Sequence, residues 1–206
     1  MSNFMQKHAP QAFSDLIFAD DRVEKRLHQY ATIKRTKHLI LHGGYGTGKS
    51  TIARLICEAR LCSEQIGWVL LNGAEVAEKD IRVLGNSLRL LHLSEGVVPV
   101  GVIDEANLLS SALQYKLRAL MDSSDFTIIM TTNYPHEIDP SIRNRCDVVK
   151  IDPLPNKRML PAAKKILSTE GIKLSDQDIL KLLKATDGTW RRALEVLEDA
   201  TLALAP

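Results

Sequence analysis

The sequence predicts an α/β fold: a mainly parallel sheet covered by helices on both faces, followed by a small all-helical domain. Three observations predict it. Short β-rich apolar runs alternate with helical patterns through residues 1–152, and such alternation implies parallel strands joined by crossover helices. The glycine-rich segment His42-Gly43-Gly44-Tyr45-Gly46-Thr47-Gly48-Lys49-Ser50-Thr51 joins one of those runs to the next helix. Beyond Pro153-Leu154-Pro155 no strand pattern survives, and prolines end elements and stiffen linkers. The expected division is an α/β domain at 1–152 and a helical domain at 153–206.

Residues 1–18 read as irregular, with Pro10 and a Phe13, Leu16, Ile17 cluster able to pack across a neighbouring site. Asp20-Asp21 opens a helix, because Val23, Leu27, Tyr30 and Ala31 fall at helical spacing. The basic run Lys34-Arg35-Thr36-Lys37-His38 is either a solvated loop or a contact for a polyanion. Residues 37–41 form a buried strand, 51–57 a helix, and 68–72 (Trp68 to Asn72) a second strand. Over 79–92, Ile81, Leu84, Leu88 and Leu91 form an apolar stripe, and Lys79, Arg82, Asn86 and Arg89 a polar, cationic one. Gly85 is expected to weaken that helix midway.

A third strand, 98–105, ends in Asp104-Glu105. Ser110 caps a helix that turns Leu113, Leu117, Leu120 and Met121 inward and leaves Ser111, Gln114 and Arg118 on an outer face. Residues 126–133 form a strand with a polar end, and 147–151 a last short one. In the helical region, Pro161 is expected at the start of a helix running to Leu167. Ser175 through Asp178 approximates a capping box for a helix that buries Ile179, Leu182 and Leu183. Thr189 caps a third helix, which carries Arg191 and Arg192 in its first turn.

The glycine-rich segment fits Gly-x4-Gly-Lys-Ser, in the strand-loop-helix setting that a phosphate-binding loop requires. Its glycines allow successive backbone N–H groups to converge on phosphate oxygens, and the helix start adds unpaired N–H groups and the positive end of its dipole. Lys49 would reach the outer phosphates and the Ser50 hydroxyl would ligate Mg2+. A buried strand ending in two carboxylates, about fifty-five residues downstream, supplies the complement. Asp104 would hold the metal through its water shell and Glu105 would orient or deprotonate the attacking water.

Bulk composition is that of a globular protein: 206 residues, 45% hydrophobic, 25% charged, with a net charge of +2. So small a charge leaves any basic patch local. Cys57, Cys62 and Cys146 are too scattered for a disulfide framework or a four-ligand zinc site, and reduced structural thiols are expected. No apolar run approaches the roughly 18 residues that span a bilayer, and no signal-peptide core opens the chain. A soluble, cytoplasmic protein is expected.

Together these features resemble the AAA+ ATPases, and the local wording resembles their clamp-loader branch, the replication clamp loader subunits of archaea, eukaryotes and T4-like phages. Lys7-His8-Ala9-Pro10 with Phe13-Ser14-Asp15-Leu16 resembles the family's opening Lys-Tyr-Arg-Pro and Phe-x-Asp-Leu. Leu71-Asn72-Gly73-Ala74-Glu75 resembles Leu-Asn-Ala-Ser-Asp, and Asp104-Glu105-Ala106-Asn107 resembles the Asp-Glu-Ala-Asp box. Gln114 with Leu117-Arg118 is similar to the helix that follows the box. The stretch from Ile138-Asp139-Pro140 to Asn144-Arg145-Cys146 resembles one ending in Ser-Arg-Cys. Gly188 through Leu194 resembles Gly-Asp-x-Arg-Arg-Ala. The resemblance covers nearly the whole chain.

It implies a nucleotide triphosphatase domain at 1–152, a helical lid at 153–206, and ATP with Mg2+ as ligands. Residues 43–51 would cradle the phosphates, with Pro10 joining the nucleotide site. Asn133 matches a sensor of the γ-phosphate and lytic water, and Arg191 a sensor on the lid. Arg145 matches an arginine finger acting on the adjacent subunit's nucleotide. The helix containing Lys79 and Arg82 would track the phosphates of duplex or primer–template DNA. Gln114 and Arg118 resemble an element that relays DNA binding to the nucleotide site. Partners would be other AAA+ subunits, identical or related, DNA and a sliding clamp, with no membrane.

Taken without the resemblance, Arg145 and Arg191 also fit surface salt bridges, Asn133 a turn cap, and the Lys79 stripe a solvated face. His8 and Ala9 depart from the family's Tyr and Arg, which puts base recognition by this segment in question. The chain ends at Pro206, where the branch continues into a third helical domain forming a collar. It is therefore either a piece of a longer protein or one that assembles without that collar. Two other functions stay open: remodelling another nucleoprotein target, as a helicase loader or branch-migration-type motor, and a nucleotide-dependent adaptor with little turnover.

Overall fold

The computed structural model describes residues 3–60, 69–92, 98–122 and 126–204. Trp68 and Cys62, singled out above, lie outside the described residues. Five strands form one sheet: β1 (His38–His42), β2 (Val69–Asn72), β3 (Val100–Asp104), β4 (Thr127–Thr132) and β5 (Cys146–Lys150). Their order is β2-β3-β4-β1-β5, and every pairing is parallel. A parallel sheet covered on both faces accounts for the uninterrupted burial of β4. Ile40, Ile103, Ile128 and Met130 pack on one face against α4 (Glu78–His92) and α5 (Ser111–Met121). Leu39, Leu41, Val102 and Ile129 pack on the other against α2 (Asp21–Ala31) and α3 (Lys49–Arg60).

α4 runs unbroken through Gly85. A Cβ at residue 85 would come within 2.7 Å of Leu120 Cδ1 on α5. The glycine therefore permits a close helix–helix approach, and burial of Ile81, Leu84 and Leu88 outweighs its propensity cost of about 1 kcal/mol.

The helical unit comprises α7 (Asn156–Thr169), α8 (Asp176–Lys184) and α9 (Trp190–Leu204), packed around Met159, Ala163, Leu167, Leu183 and Leu197. The short α6 (Pro140–Arg143) lies upstream, just before β5. α7 begins at Asn156, so Pro161 lies inside it and not at its start. There the proline removes only the amide that would bond the C=O of residue 157, and the buried α7 face offsets that loss. Ser175 accepts a hydrogen bond from the Asp178 amide, as its capping pattern predicts. Thr189 differs: its C=O accepts the Ala193 amide, but its hydroxyl donates to Asp187 (2.6 Å).

Residues 1–18, expected to be irregular, contain α1 (Asn3–Lys7) and a 3-10 turn at Phe13–Asp15. Helix α1 is held by tertiary contacts: Phe4 and Met5 pack on the helical unit, and Lys7 and His8 both contact Glu170. Phe13 and Leu16 are partly buried against the chain's own second core. Gln114 also departs from expectation. It is buried, donating to the carbonyls of Leu109 (3.1 Å) and Glu137 (3.2 Å) and accepting from the Asp139 amide (2.7 Å). It fastens α5 to the turn before α6 and presents no outer face.

The basic run before β1 is largely tied down within the chain. Asp147 on β5 is 5% exposed and accepts from the Tyr30 hydroxyl (2.7 Å), Arg26 (3.0 Å) and Arg35, with Lys37 at 3.5 Å. Burial alone would raise its pKa. Hydrogen bonds from Arg35 and Tyr30 and the charge of Arg26 reverse that and hold it well below the usual carboxylate range. The described cysteines, Cys57 and Cys146, are free and buried, and burial pushes both thiols up to about 12.

Candidate nucleotide site

The loop after β1 opens at the carboxyl ends of the strands, where open parallel sheets bind ligands. Residues 44–48 turn through left-handed backbone at Gly46 (φ 73) and Gly48 (φ 89), and the Ile52 amide bonds the Gly48 carbonyl to begin α3 (2.8 Å). A cavity of about 410 Å³ lies against this loop and the start of α3. Tyr45, Gly46, Gly48, Lys49, Ser50 and Thr51 line it from the loop side. Gly43, Gly44 and Thr47, of the same loop, do not line it. Lys49 Nζ donates to the carbonyls of Gly43 (3.0 Å) and Gly44 (2.7 Å), and Thr47 Oγ1 donates to Gly44 (3.0 Å). Burial holds the Lys49 pKa below its ordinary value, Asp104 opposes that shift, and the charge of Arg191 adds to it.

The opposite wall comes from strand ends in register. Ile103 pairs with Met130, Leu41 with Thr131 and His42 with Thr132, which brings Asp104, Glu105, Thr131, Thr132 and Asn133 to one rim. Asp104 Oδ1 accepts from Ser50 Oγ (2.8 Å) and from Thr131 Oγ1. Glu105 adopts left-handed backbone (φ 53, ψ 44), uncommon for a residue with a side chain, and donates its amide to Thr131 Oγ1 (3.2 Å). Asn133 Oδ1 is buried with no hydrogen-bond partner among the described residues. A buried acceptor left open beside Glu105 requires an explanation, and a ligand or water in the cavity provides one. Asn107 lies outside this shell, bonded to Thr132 Oγ1 (3.0 Å) and Glu137 (3.2 Å).

The third wall is the helical unit and the N-terminal strap. Arg191, Trp190 and Leu194 line the cavity, as do Met5, Ala9 and Pro10. The Pro10 carbonyl accepts from Arg54 on α3 (3.1 Å). A Cβ on Gly46 would meet Thr189 and Arg191 Cβ atoms at 3.3 and 3.4 Å, so the loop and the start of α9 are in close contact. The polar threonines at the end of β4 were a readable signal; the hydrophobic contributors Met5, Trp190 and Leu194 were not, since they reach the site from remote helices.

These groups fit a nucleoside triphosphate with a divalent cation. Loop amides, Lys49 and Arg191 provide positive potential for phosphates. Ser50 with Asp104 offers the hydroxyl and carboxylate that Mg2+ takes alongside phosphate oxygens. No group of three or more His, Cys, Asp or Glu side chains that could hold a metal alone occurs among the described residues.

The chain matches the family described as "ATPase family associated with various cellular activities (AAA)" over residues 39–153. It belongs to the AAA family of ATPases. It is 27% identical to replication factor C small subunit 2 of Pyrobaculum aerophilum over 96% of this chain and 63% of the relative. It is 29% identical to the replication factor C small subunit of Natronomonas pharaonis, over 97% of this chain and 62% of the relative. For replication factor C subunit 3 of Oryza sativa the identity is 25%, covering 97% of this chain and 57% of the relative. The chain thus spans about three-fifths of the length of these relatives. A RuvB structure from Thermotoga maritima superposes with TM-score 0.77 at 20% identity, covering 94% of this chain and 65% of that one.

Two sets of predicted residues lie away from the cavity. Arg145 immediately precedes β5, whose Cys146 pairs with His38 while Lys150 pairs with His42. At about 3.3 Å per residue it stands roughly 20 Å from the phosphate loop, at the other end of the same strands. There it bonds Asp122 and the Ser141 carbonyl. Lys79 and Arg82 are exposed on α4. Arg82, Asn86 and Arg89 share a groove of about 280 Å³ with Lys116 of α5, which pairs with Glu78; Lys79 does not line it. Among the described residues no helix is long and apolar enough to cross a membrane.

Proposed function

We propose that this chain is an ATP-binding and ATP-hydrolysing subunit of a clamp-loader-like assembly, in which each nucleotide site is completed by the Arg145 of a neighbour. The observation that supports it most is the separation within one sheet. The cavity holds the loop, Asp104, Glu105, Asn133 and Arg191, while Arg145 is about 20 Å away along the strands and cannot serve its own cavity. In this reading the loop amides and Lys49 bind the phosphates, and Ser50 and Asp104 hold Mg2+, which neutralises charge on the phosphoryl group. Glu105 takes the proton of the attacking water, Asn133 orients that water, and Arg191 couples the phosphates to the lid. The similarity to replication factor C subunits supports primer–template DNA and a sliding clamp as the targets. The α4–α5 groove, with Arg82 and Arg89 facing outward, suits sequence-blind phosphate contacts.

Mixing two inactive variants tests the composite site. Lys49→Ala lacks a working loop and Arg145→Ala lacks the donated arginine, so each alone should turn over ATP poorly. Mixed together they should regain activity, because some interfaces then join an intact loop to an intact arginine. No recovery in assemblies known to contain both variants would contradict the reading.

A further inference from the structure

We infer that Asp122 is a positioning residue for Arg145, holding its guanidinium in the orientation in which it can be offered to a neighbouring subunit. The inference rests on the reading of Arg145 given above and adds a residue to it. Arg145 leaves the sheet just before β5 and its side chain is 36% exposed. Left alone, so long a chain samples many rotamers, and fixing it costs conformational entropy. Here two of its nitrogens are tied from two different elements. Nε donates to Asp122 Oδ1 at 2.7 Å, and Nη1 donates to the Ser141 carbonyl at 3.0 Å. Nη2 has no hydrogen-bond partner among the described residues. The arrangement orients the guanidinium and, among the described residues, leaves Nη2 without a partner and open to an anion.

Asp122 is itself held in place. It is the C-cap of α5, and the residue before it, Met121, offers its carbonyl to His38 Nε2 (3.0 Å). His38 Nδ1 accepts from the Ile128 amide (3.0 Å), so the proton sits on Nε2 and the ring donates to Met121. The end of α5 is thereby pinned to the amino-terminal ends of β1 and β4, beside the strand that Arg145 precedes. A fixed carboxylate on a mobile arginine is how a supporting residue improves a site without touching the ligand.

The same ion pair could in principle act as a latch that withholds Arg145 from a neighbour. Two observations favour positioning. Asp122 is 57% exposed, and an ion pair so open to water is weak, too weak to withhold an arginine from a triphosphate but enough to bias its rotamers. Among the described residues these bonds also leave Nη2 unpartnered, where a latch would consume the outward edge.

The test is steady-state ATPase of the assembled protein for Asp122→Ala, Asp122→Glu, Arg145→Ala and the double variant Asp122→Ala/Arg145→Ala. Asp122→Ala should lower kcat by about 2- to 5-fold, with nucleotide affinity and thermal midpoint near wild type, and Asp122→Glu should recover most of the loss. The double variant should match Arg145→Ala, because Asp122 acts only through that arginine. Wild-type or raised turnover in Asp122→Ala, where Arg145→Ala is impaired, would overturn the inference and, if raised, indicate a latch. An equal further loss in the Arg145→Ala background would assign Asp122 a role outside this pair. Unimpaired turnover in Arg145→Ala would remove the composite-site reading itself, and the positioning role with it.

Discussion

The two ends of the sheet put their polar groups to different uses. At the carboxyl end, beside the phosphate loop, groups are left available: Asn133 Oδ1 is buried without a partner among the described residues, and Glu105 sits in left-handed backbone. At the amino end, charged groups are fastened within the chain: Asp147 collects Tyr30, Arg26, Arg35 and Lys37, and both nitrogens of His38 are bonded, although Arg60 Nη1 and Arg143 Nε are buried there without partners among the described residues. An unpartnered acceptor on a residue that lines a cavity suits a ligand, and a network such as that around Asp147 fastens the fold. Arg145 lies at this end with Nη2 unpartnered among the described residues, which fits the proposal that it serves a neighbouring subunit.

Substitutions at the two ends should therefore fail differently. Lys49→Ala should weaken nucleotide binding or turnover by on the order of 100-fold and leave the thermal midpoint nearly unchanged, as nucleotide titration and melting together would reveal. Asp147→Ala should do the reverse. It strands a buried hydroxyl and frees three cations, so unfolding in urea should report a loss of about 3 kcal/mol, at the low end for a broken buried pair because its cations are partly solvated. Equal stability of Asp147→Ala and wild type would remove the distinction between the ends.

pH offers a finer test of the fastened end. Burial lowers the His38 pKa from the ordinary imidazole value of 6.5. Below that value the unfolded chain gains a proton at residue 38 that the folded chain resists. The contribution is thus intact above pH 6.5 and is lost as pH falls toward the depressed folded value. Melting temperature should drop between pH 7 and pH 5 by more in wild type than in His38→Gln, whose amide can both accept from Ile128 and donate to Met121. Parallel pH profiles would count against a buried neutral His38. The smallest effect is expected in the α4–α5 groove. Arg82→Ala should reduce the slope of log affinity for DNA against log salt by about one unit, and an unchanged slope would leave Arg82 a solvated charge.

How much of this was legible in the sequence follows from the range of each interaction. The phosphate loop, the Asp-Glu strand end and the helix caps at Ser110 and Ser175 are local patterns, so spacing alone revealed them. The burial of Gln114 was not legible, because its partners lie five and more than twenty residues away in a turn without periodicity. Gly85 looked like a helix breaker because its benefit, the approach to Leu120, belongs to another helix. The basic run at 34–38 looked like a surface because its counter-charge, Asp147, is more than one hundred residues downstream. Pro161 was misplaced for a related reason: propensity argued for a helix start, and tertiary burial of α7 prevailed.

The composite site is the central claim, and specific ATPase rate against protein concentration tests it most directly, for wild type and Arg145→Ala, with and without primed DNA and a sliding clamp. The account predicts that wild-type turnover per protomer climbs with concentration to a plateau, higher with DNA present, while Arg145→Ala stays at the dilute level. A wild-type rate independent of concentration, or an equal loss for Arg145→Ala in dilute and assembled protein, would contradict it.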